Sequence, residues 1–176
     1  LKNYAGIIRD QTSHLQSQVQ RLLEIAYTDR SSLPLKKEKF DINLLIAESI
    51  NDLQPLIEQK HAVLNTNFAV EQLELTADRS YLRLCLINLI ENAIKYSTAP
   101  VIDISTKVDG STLFIVIKDN GIGIATEHQK KIFERFYRIT DGELHISKGF
   151  GLGLNFVKKV IDTHHGKIEV MSEVGK

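Results

Sequence analysis

A single cysteine, no internal repeat, no low-complexity tract and no surplus of either charge set the first limits on this 176-residue chain. One thiol, Cys85, forbids an internal disulfide. Its place inside the helical apolar run YLRLCLINLI reads as a buried structural residue, and the usage fits a reducing compartment. Twenty-two basic residues balance 22 acidic ones. That argues against a nucleic-acid binder, because such proteins draw much of their affinity from neutralising phosphates. No run reaches the ~20 apolar residues of a membrane span, and no signal peptide is visible. The first residue is Leu1 and the last stretch is EVMSEVGK, so the expectation is a fragment of something longer.

What is present is unevenly spread. Six of the ten glycines fall between Gly121 and Gly153, a concentration of special backbone that an ordinary core does not need. From Leu1 to about Asp29, Tyr4, Ile8, Leu15, Val19, Leu22 and Ala26 recur at three- and four-residue steps. They predict a helix with one apolar stripe. Such a helix wants a partner, so a bundle or coiled-coil arm is expected, the alternative being a helix packed on its own domain. Pro34 blocks its continuation, which sets the division at an arm over residues 1–32 and a domain over 33–176.

Within that domain the pattern predicts a strand at 35–40, then Asp41 as the N-cap of a helix through about Gln59. Strands come next at 63–68 and 73–76. Asp78 opens a long helix to about Tyr96. VIDISTKV and TLFIVIK, joined at Asp109-Gly110, read as a hairpin. Further helices are predicted at 127–138 and 150–164, the latter stopped by Gly166, and a strand begins at Lys167. The mixture, with an antiparallel pair, gives an α/β two-layer sandwich.

Three segments carry chemistry. In NLIENAIKYS, Asn88, Asn92 and Lys95 lie four and three residues apart and share a helix face. Amide oxygens suit a hard cation and lysine suits phosphate, although two surface amides on an amphipathic helix would look the same. In KDNGIGI, Asp119 follows an apolar strand and precedes Gly121 and Gly123. A carboxylate there can accept from an exocyclic amine. A tight turn at Asn120-Gly121 is the plainer alternative. In KGFGLGL, Gly149, Gly151 and Gly153 run into a helix, whose free N–H groups favour anions. Taken together, in this order, the three signals point to a nucleotide pocket assembled in pieces.

The set resembles the catalytic and ATP-binding domain of sensor histidine kinases, within the GHKL ATPase superfamily. NLIENAIKYS is similar to its N box, DNGIGI to its first glycine box, IFERFYRI to its F box and KGFGLGL to its second glycine box. Upstream, LQSQVQRLLEIA resembles the second helix of a dimerisation and histidine-phosphotransfer hairpin. The resemblance implies a Bergerat-type fold with a helical arm, ATP and Mg²⁺ as cofactors, and transfer of the γ-phosphoryl to a histidine outside this chain. It implies Mg²⁺ on Asn92, with Asn88 beside it, Lys95 on phosphate and Tyr96 packed by the nucleotide. Asp119 would take the adenine amine, and Gly121, Gly123 and Ile124 would border the base. Lys148, Gly149, Phe150, Gly151, Leu152, Gly153 and Leu154 would form the phosphate side. Residues 139–148 would be a lid, steadied by Phe133 and Phe136, with Arg138 and Lys148 open to a phosphate role. A response regulator, a homodimer through the hairpin and a cytoplasmic position in a membrane-anchored sensor are implied as well, and no nucleic acid.

Two departures bear on mechanism. In related ATPases such as gyrase and the heat-shock chaperone, a Glu lies four residues before the metal-binding Asn and activates water. Here that position is Asn88, and an amide is no general base. Slow hydrolysis would preserve the phosphoryl for a protein nucleophile. None of the six histidines stands in the His-acid-x-x-x-Pro setting of a phosphoacceptor; His14 falls on the second helix, and His145 in the lid has no assigned role. The family's closing strand is also absent. Two other readings stay open: a nucleotide-binding or partner-docking module without transfer, and a serine-phosphorylating anti-sigma-type kinase.

Overall fold

The computed structural model describes residues 33–69, 72–139 and 150–175. The chain divides into units Leu1–Leu33 and Pro34–Lys176, and the elements named below belong to the second. The expected arm over 1–32, lid residues 140–148 including His145 and Lys148, and Gly149 lie outside the described residues.

Local chemistry sets most of the element ends. Strand β1 (Glu38–Asp41) runs into helix α1 (Ile42–Asp52), where the Asp41 carboxylate accepts from the N–H groups of Asn43 and Leu44. This is the expected N-cap, and it satisfies donors that the first turn leaves unpaired. The single helix expected to Gln59 is two. Pro55 has no N–H to give, so the chain breaks at Leu53 and restarts as α2 (Gln54–Lys60) with proline in its first turn. Next come strands β2 (Val63–Phe68) and β3 (Glu74–Ala77), then α3 (Arg79–Lys95), where Asp78 Oδ1 accepts from the Tyr81 N–H at 3.0 Å. The hairpin is β4 (Val101–Asp109) and β5 (Thr112–Asp119), turning at Gly110, whose φ of +58° is left-handed.

Two small sheets result. β1 pairs antiparallel with β3, Phe40 opposite Leu75. β2 runs parallel to β4, Val63 opposite Val101, and β4 runs antiparallel to β5, Ile102 opposite Asp119. Period-two alternation puts Ile102, Ile104 and Thr106 on the buried face of β4. On that face lies α3, with Leu82, Cys85, Leu86, Ile90 and Ile94 buried. Helix α1 adds Ile42, Leu45 and Ile46, and the last helix adds Phe156, Val157 and Val160. This is the expected α/β arrangement, helices over one face of a sheet.

Three expectations fail in the last third. The helix predicted over 127–138 is only α4 (Thr126–Gln129) and a 3-10 turn at Lys131–Phe133. Tertiary bonds claim the backbone groups a helix would use: Asn155 Nδ2 donates to the Phe133 carbonyl at 2.8 Å, and the Phe136 N–H donates to the Gly151 carbonyl at 2.9 Å. The final helix, α5 (Gly153–Thr163), begins after residue 150 because Gly151 is left-handed at φ +68°. Its end is set by His165, at φ +60°, with the Gly166 N–H bonded to the Ile161 carbonyl at 2.9 Å. Residues 167–171 form no strand and pair with none of the described strands, and Met171 is 96% exposed.

Candidate nucleotide site

The site forms where separate elements end beside one another. Helix α3 stops at Tyr96, whose side chain is 40% exposed and whose carbonyl accepts the Ile122 N–H at 3.0 Å. Ser97 is buried and donates to the Ala93 carbonyl at 2.9 Å. Asp119 closes β5, and its Oδ1 accepts the Gly121 N–H at 2.8 Å. Asn120 fixes that strand end: its Oδ1 accepts the Val101 N–H at 2.8 Å and its Nδ2 donates to the Ala99 carbonyl at 2.9 Å. The chain therefore runs on past Asn120-Gly121 rather than turning back as a hairpin.

The four described glycines of the two boxes share one property. Beside each, the volume a Cβ would need is filled by the protein itself. At Gly121 a Cβ would stand 2.6 Å from Asp119 Oδ1, 3.0 Å from the Tyr96 carbonyl oxygen and 3.2 Å from Ser97 Oγ. At Gly123, at φ +74°, it would collide with the Glu173 carbonyl. At Gly151 it would stand 2.7 Å from the Tyr137 carbonyl oxygen, and at Gly153 it would overlap Asn88 Oδ1. These glycines let the walls close on each other, a use of the missing side chain as demanding as contact with a ligand.

On α3, Asn88 and Asn92 are half-buried. Asn88 Nδ2 donates to the Leu84 carbonyl at 3.0 Å, and its Oδ1 lies against Gly153 at the start of α5. The Asn92 side chain makes no hydrogen bond to a described residue, which leaves a hard oxygen for a cation. Among the described residues no cluster of three His, Cys, Asp or Glu side chains gathers around a metal position. A divalent ion held here would depend on amide, water and phosphate oxygens, a set that suits Mg²⁺. Lys95 Nζ pairs with Glu91 Oε1 at 2.7 Å. Glu91, one turn before Lys95 on the same helix, is thus within reach of the lysine.

The remaining expected residues are spread along the second box. Phe150 is 61% exposed, Leu152 is buried and Leu154 half-buried, and Arg138 lies exposed at the end of the F box. Ser97, Asn120, Gln129 and Ser172 were missed by sequence reasoning. Gln129 Nε2 donates to the carbonyls of Ile124 (3.0 Å) and Ser172 (2.7 Å), while Ser172 Oγ accepts the Ile124 N–H at 2.9 Å. Only Ser97 and Asn120 carried a signal, since both sit inside the quoted motifs.

The family described as histidine kinase-, DNA gyrase B- and HSP90-like ATPase matches residues 77–176. The sensor protein RprX of Bacteroides fragilis (strain YCH46) is 37% identical over 176 residues, covering 98% of this chain and 34% of its own. The sensor protein SrrB of Staphylococcus aureus (strain MRSA252) is 32% identical, covering 100% of this chain and 30% of its own. Among solved structures, full-length ShkA in complex with AMPPNP superposes with a TM-score of 0.80 at 26% identity, over 99% of this chain and 36% of that one. The catalytic domain of the histidine kinase ThkA gives 0.68 at 29% identity, over 76% and 87%. ThkA with the response regulator protein TrrA gives 0.68 at 28%, over 94% and 45%. The chain belongs to the histidine kinase-, DNA gyrase B- and HSP90-like ATPase family, on the branch of the sensor histidine kinase catalytic domains. It spans about a third of the length of the curated relatives it matches.

Proposed function

We propose that this chain is the ATP-binding catalytic part of a sensor histidine kinase, moving the γ-phosphoryl of ATP to a histidine on another segment. One observation carries this reading: Asp119 and the first glycine box meet the end of α3, while Asn88 of the same helix meets the start of α5. Three motifs distant in sequence thereby border one helix. Asp119 Oδ1 is held by Gly121, so the second oxygen, Oδ2, is the one to accept from the adenine amine. Gly121, Gly123 and Ile124 frame the base beside Tyr96.

Asn92 would hold Mg²⁺ through its amide oxygen, and the ion would neutralise charge on the phosphates. Lys95 exchanges its Glu91 partner for a phosphate oxygen. The N-terminus of α5, from Leu152 and Gly153 into Leu154, offers N–H groups to the phosphates. Lys148, Gly149, Phe150 and Gly151 complete that side. The imidazole nitrogen of the acceptor attacks the γ-phosphorus, the bond to the β,γ-bridging oxygen breaks, and ADP leaves. The imidazole proton passes to solvent. With Asn88 where a hydrolytic relative has Glu, no side chain at that position deprotonates water.

The wider reading follows the relatives. AMPPNP in the ShkA complex supports ATP, and TrrA bound to ThkA supports a response regulator as the next acceptor. Dimerisation through the arm over 1–32, with 33–176 as catalytic domain, and anchoring of the parent protein in a membrane belong to the same proposal. No helix among the described residues is long and apolar enough to cross a membrane. The test is to mix the chain with Mg²⁺-ATP and a separately expressed acceptor hairpin. Acid-labile, base-stable phosphate on the hairpin is expected; ATP binding without any transfer would favour a binding-only module.

A further inference from the structure

Helices α3 and α5 lie side by side and run in opposite directions, and they are pinned at two places. At one end Asn88 Oδ1 lies against Gly153. At the other, the backbone N–H of Asp78 donates to His164 Nε2 at 2.9 Å. Between them Tyr81 and Phe156 meet edge to face, centroids 6.3 Å apart. The stretches between pins match: ten residues on α3 and eleven on α5 span about 15 and 16 Å at 1.5 Å per residue. A shift of α5 along α3 must break one pin or the other.

The His164 pin is chemically specific. Its Nδ1 lies 2.8 Å from the Val160 carbonyl, which can only accept, so Nδ1 carries the hydrogen. Asp78 N–H can only donate, so Nε2 must be bare. Both ring nitrogens are therefore committed. The residue it holds is no ordinary turn residue. Asp78 is buried, caps α3 through Tyr81 N, and accepts the Lys36 N–H on Oδ2 at 2.8 Å. One imidazole thus ties the end of α5 to the buried cap of the helix that carries Asn88, Asn92 and Lys95.

We infer that His164 is a positioning residue for the phosphate half of the nucleotide site, setting where the N-terminus of α5 stands along α3. The inference rests on reading that site as an ATP pocket. His164 touches no nucleotide; it acts through the register of two packed helices. The base side, built from β5 and the end of α3, has its own ties through Asn120 and Ser172 and does not depend on this pin.

The test compares wild type, His164→Leu and His164→Gln, titrated with Mg²⁺-ATP and mapped by backbone amide shifts in the free protein. His164→Leu is expected to weaken ATP roughly tenfold while the Gly121 and Gly123 amides keep their shifts. His164→Gln, whose Oε1 can accept from Asp78 N–H, is expected to recover most of the loss. Unchanged ATP affinity in His164→Leu would overturn the inference, as would a loss accompanied by shifts throughout residues 119–124. Should His164→Leu not fold, the wild-type imidazole nitrogen spectrum and His164→Gln decide. An Nε2-protonated ring, or a folded glutamine variant that binds ATP tenfold more weakly, would equally overturn it. Failure of folded wild type to bind ATP overturns the pocket reading itself, and the inference with it.

Discussion

Asp119 and Gly121 are bound to one another across a space that admits no side chain: the carboxylate accepts the glycine N–H at 2.8 Å, and a Cβ on Gly121 would stand 2.6 Å from the same oxygen. The orientation of the Asp119 carboxylate is thus tied to a glycine two residues on. Gly121→Ala must push that oxygen aside or move the loop from the Tyr96 carbonyl. A stability loss of about 1–3 kcal/mol is expected, with weaker nucleotide binding. A denaturant melt together with an ATP titration checks both; a stable alanine variant with wild-type affinity would sink this account of Gly121.

Asp119→Asn separates structure from recognition. An amide oxygen still accepts from Gly121 N–H, so the melt should move little. What would disappear, on the proposed reading, is the charged acceptor for the adenine amine, and a charge-assisted bond is worth about 1.5–3 kcal/mol. Nucleotide affinity should fall by about tenfold or more. Retained affinity would mean that Asp119 only organises its loop.

Much of the fold, and the motifs that border the candidate site, are legible in the sequence alone, and the boundary has a physical cause. Asp41 and Asp78 were legible as caps because a cap bond is local, running from a carboxylate to N–H groups two or three residues on. The hairpin and the α/β class came from periodicity of the same short range. The break at Leu53 was equally local, and Pro55 announced it. The F box was not legible, because Phe133 and Phe136 give their backbone groups to Asn155 and Gly151, some 15–22 residues away. Gln129, Ser172 and His164 were invisible for that reason, as polar residues with partners distant in sequence. The motif glycines were seen, but not that each faces protein atoms.

Glu91 and Lys95 form a partly exposed pair, each side chain about one-third exposed. Such a pair contributes at most about 1 kcal/mol to stability. Its larger effect is expected on the ligand, since in the proposed pocket Glu91 would compete with phosphate for the ammonium. Glu91→Gln should leave the melt nearly unchanged and tighten ATP by about twofold to threefold at low salt, with the gain shrinking as salt rises. Lys95→Met should weaken ATP more than adenosine. Equal effects on both ligands would contradict a phosphate role for the lysine.

Asn120 makes two bonds from one side chain, to Val101 N–H and to the Ala99 carbonyl. Both are exposed, so Asn120→Ala should cost only about 1–2 kcal/mol. The loss falls where β5 delivers Asp119, so amide exchange should quicken at Val101 and Gly121 before it does in the core of α3. Uniform acceleration across the domain would show that Asn120 supports the whole fold rather than this strand end.

The central claim is that Asp119 serves the base and Asn92 a cation on the phosphates, and calorimetric titration with a non-hydrolysable ATP analogue, with and without Mg²⁺, tests it most directly. Wild type should bind in both conditions and more tightly with Mg²⁺. Asn92→Ala should lose the Mg²⁺ increment alone, with an unchanged melt, and Asp119→Asn should be weakened in both conditions. A folded wild type that takes up no nucleotide, or an Asn92→Ala variant with the full Mg²⁺ increment, would contradict the account.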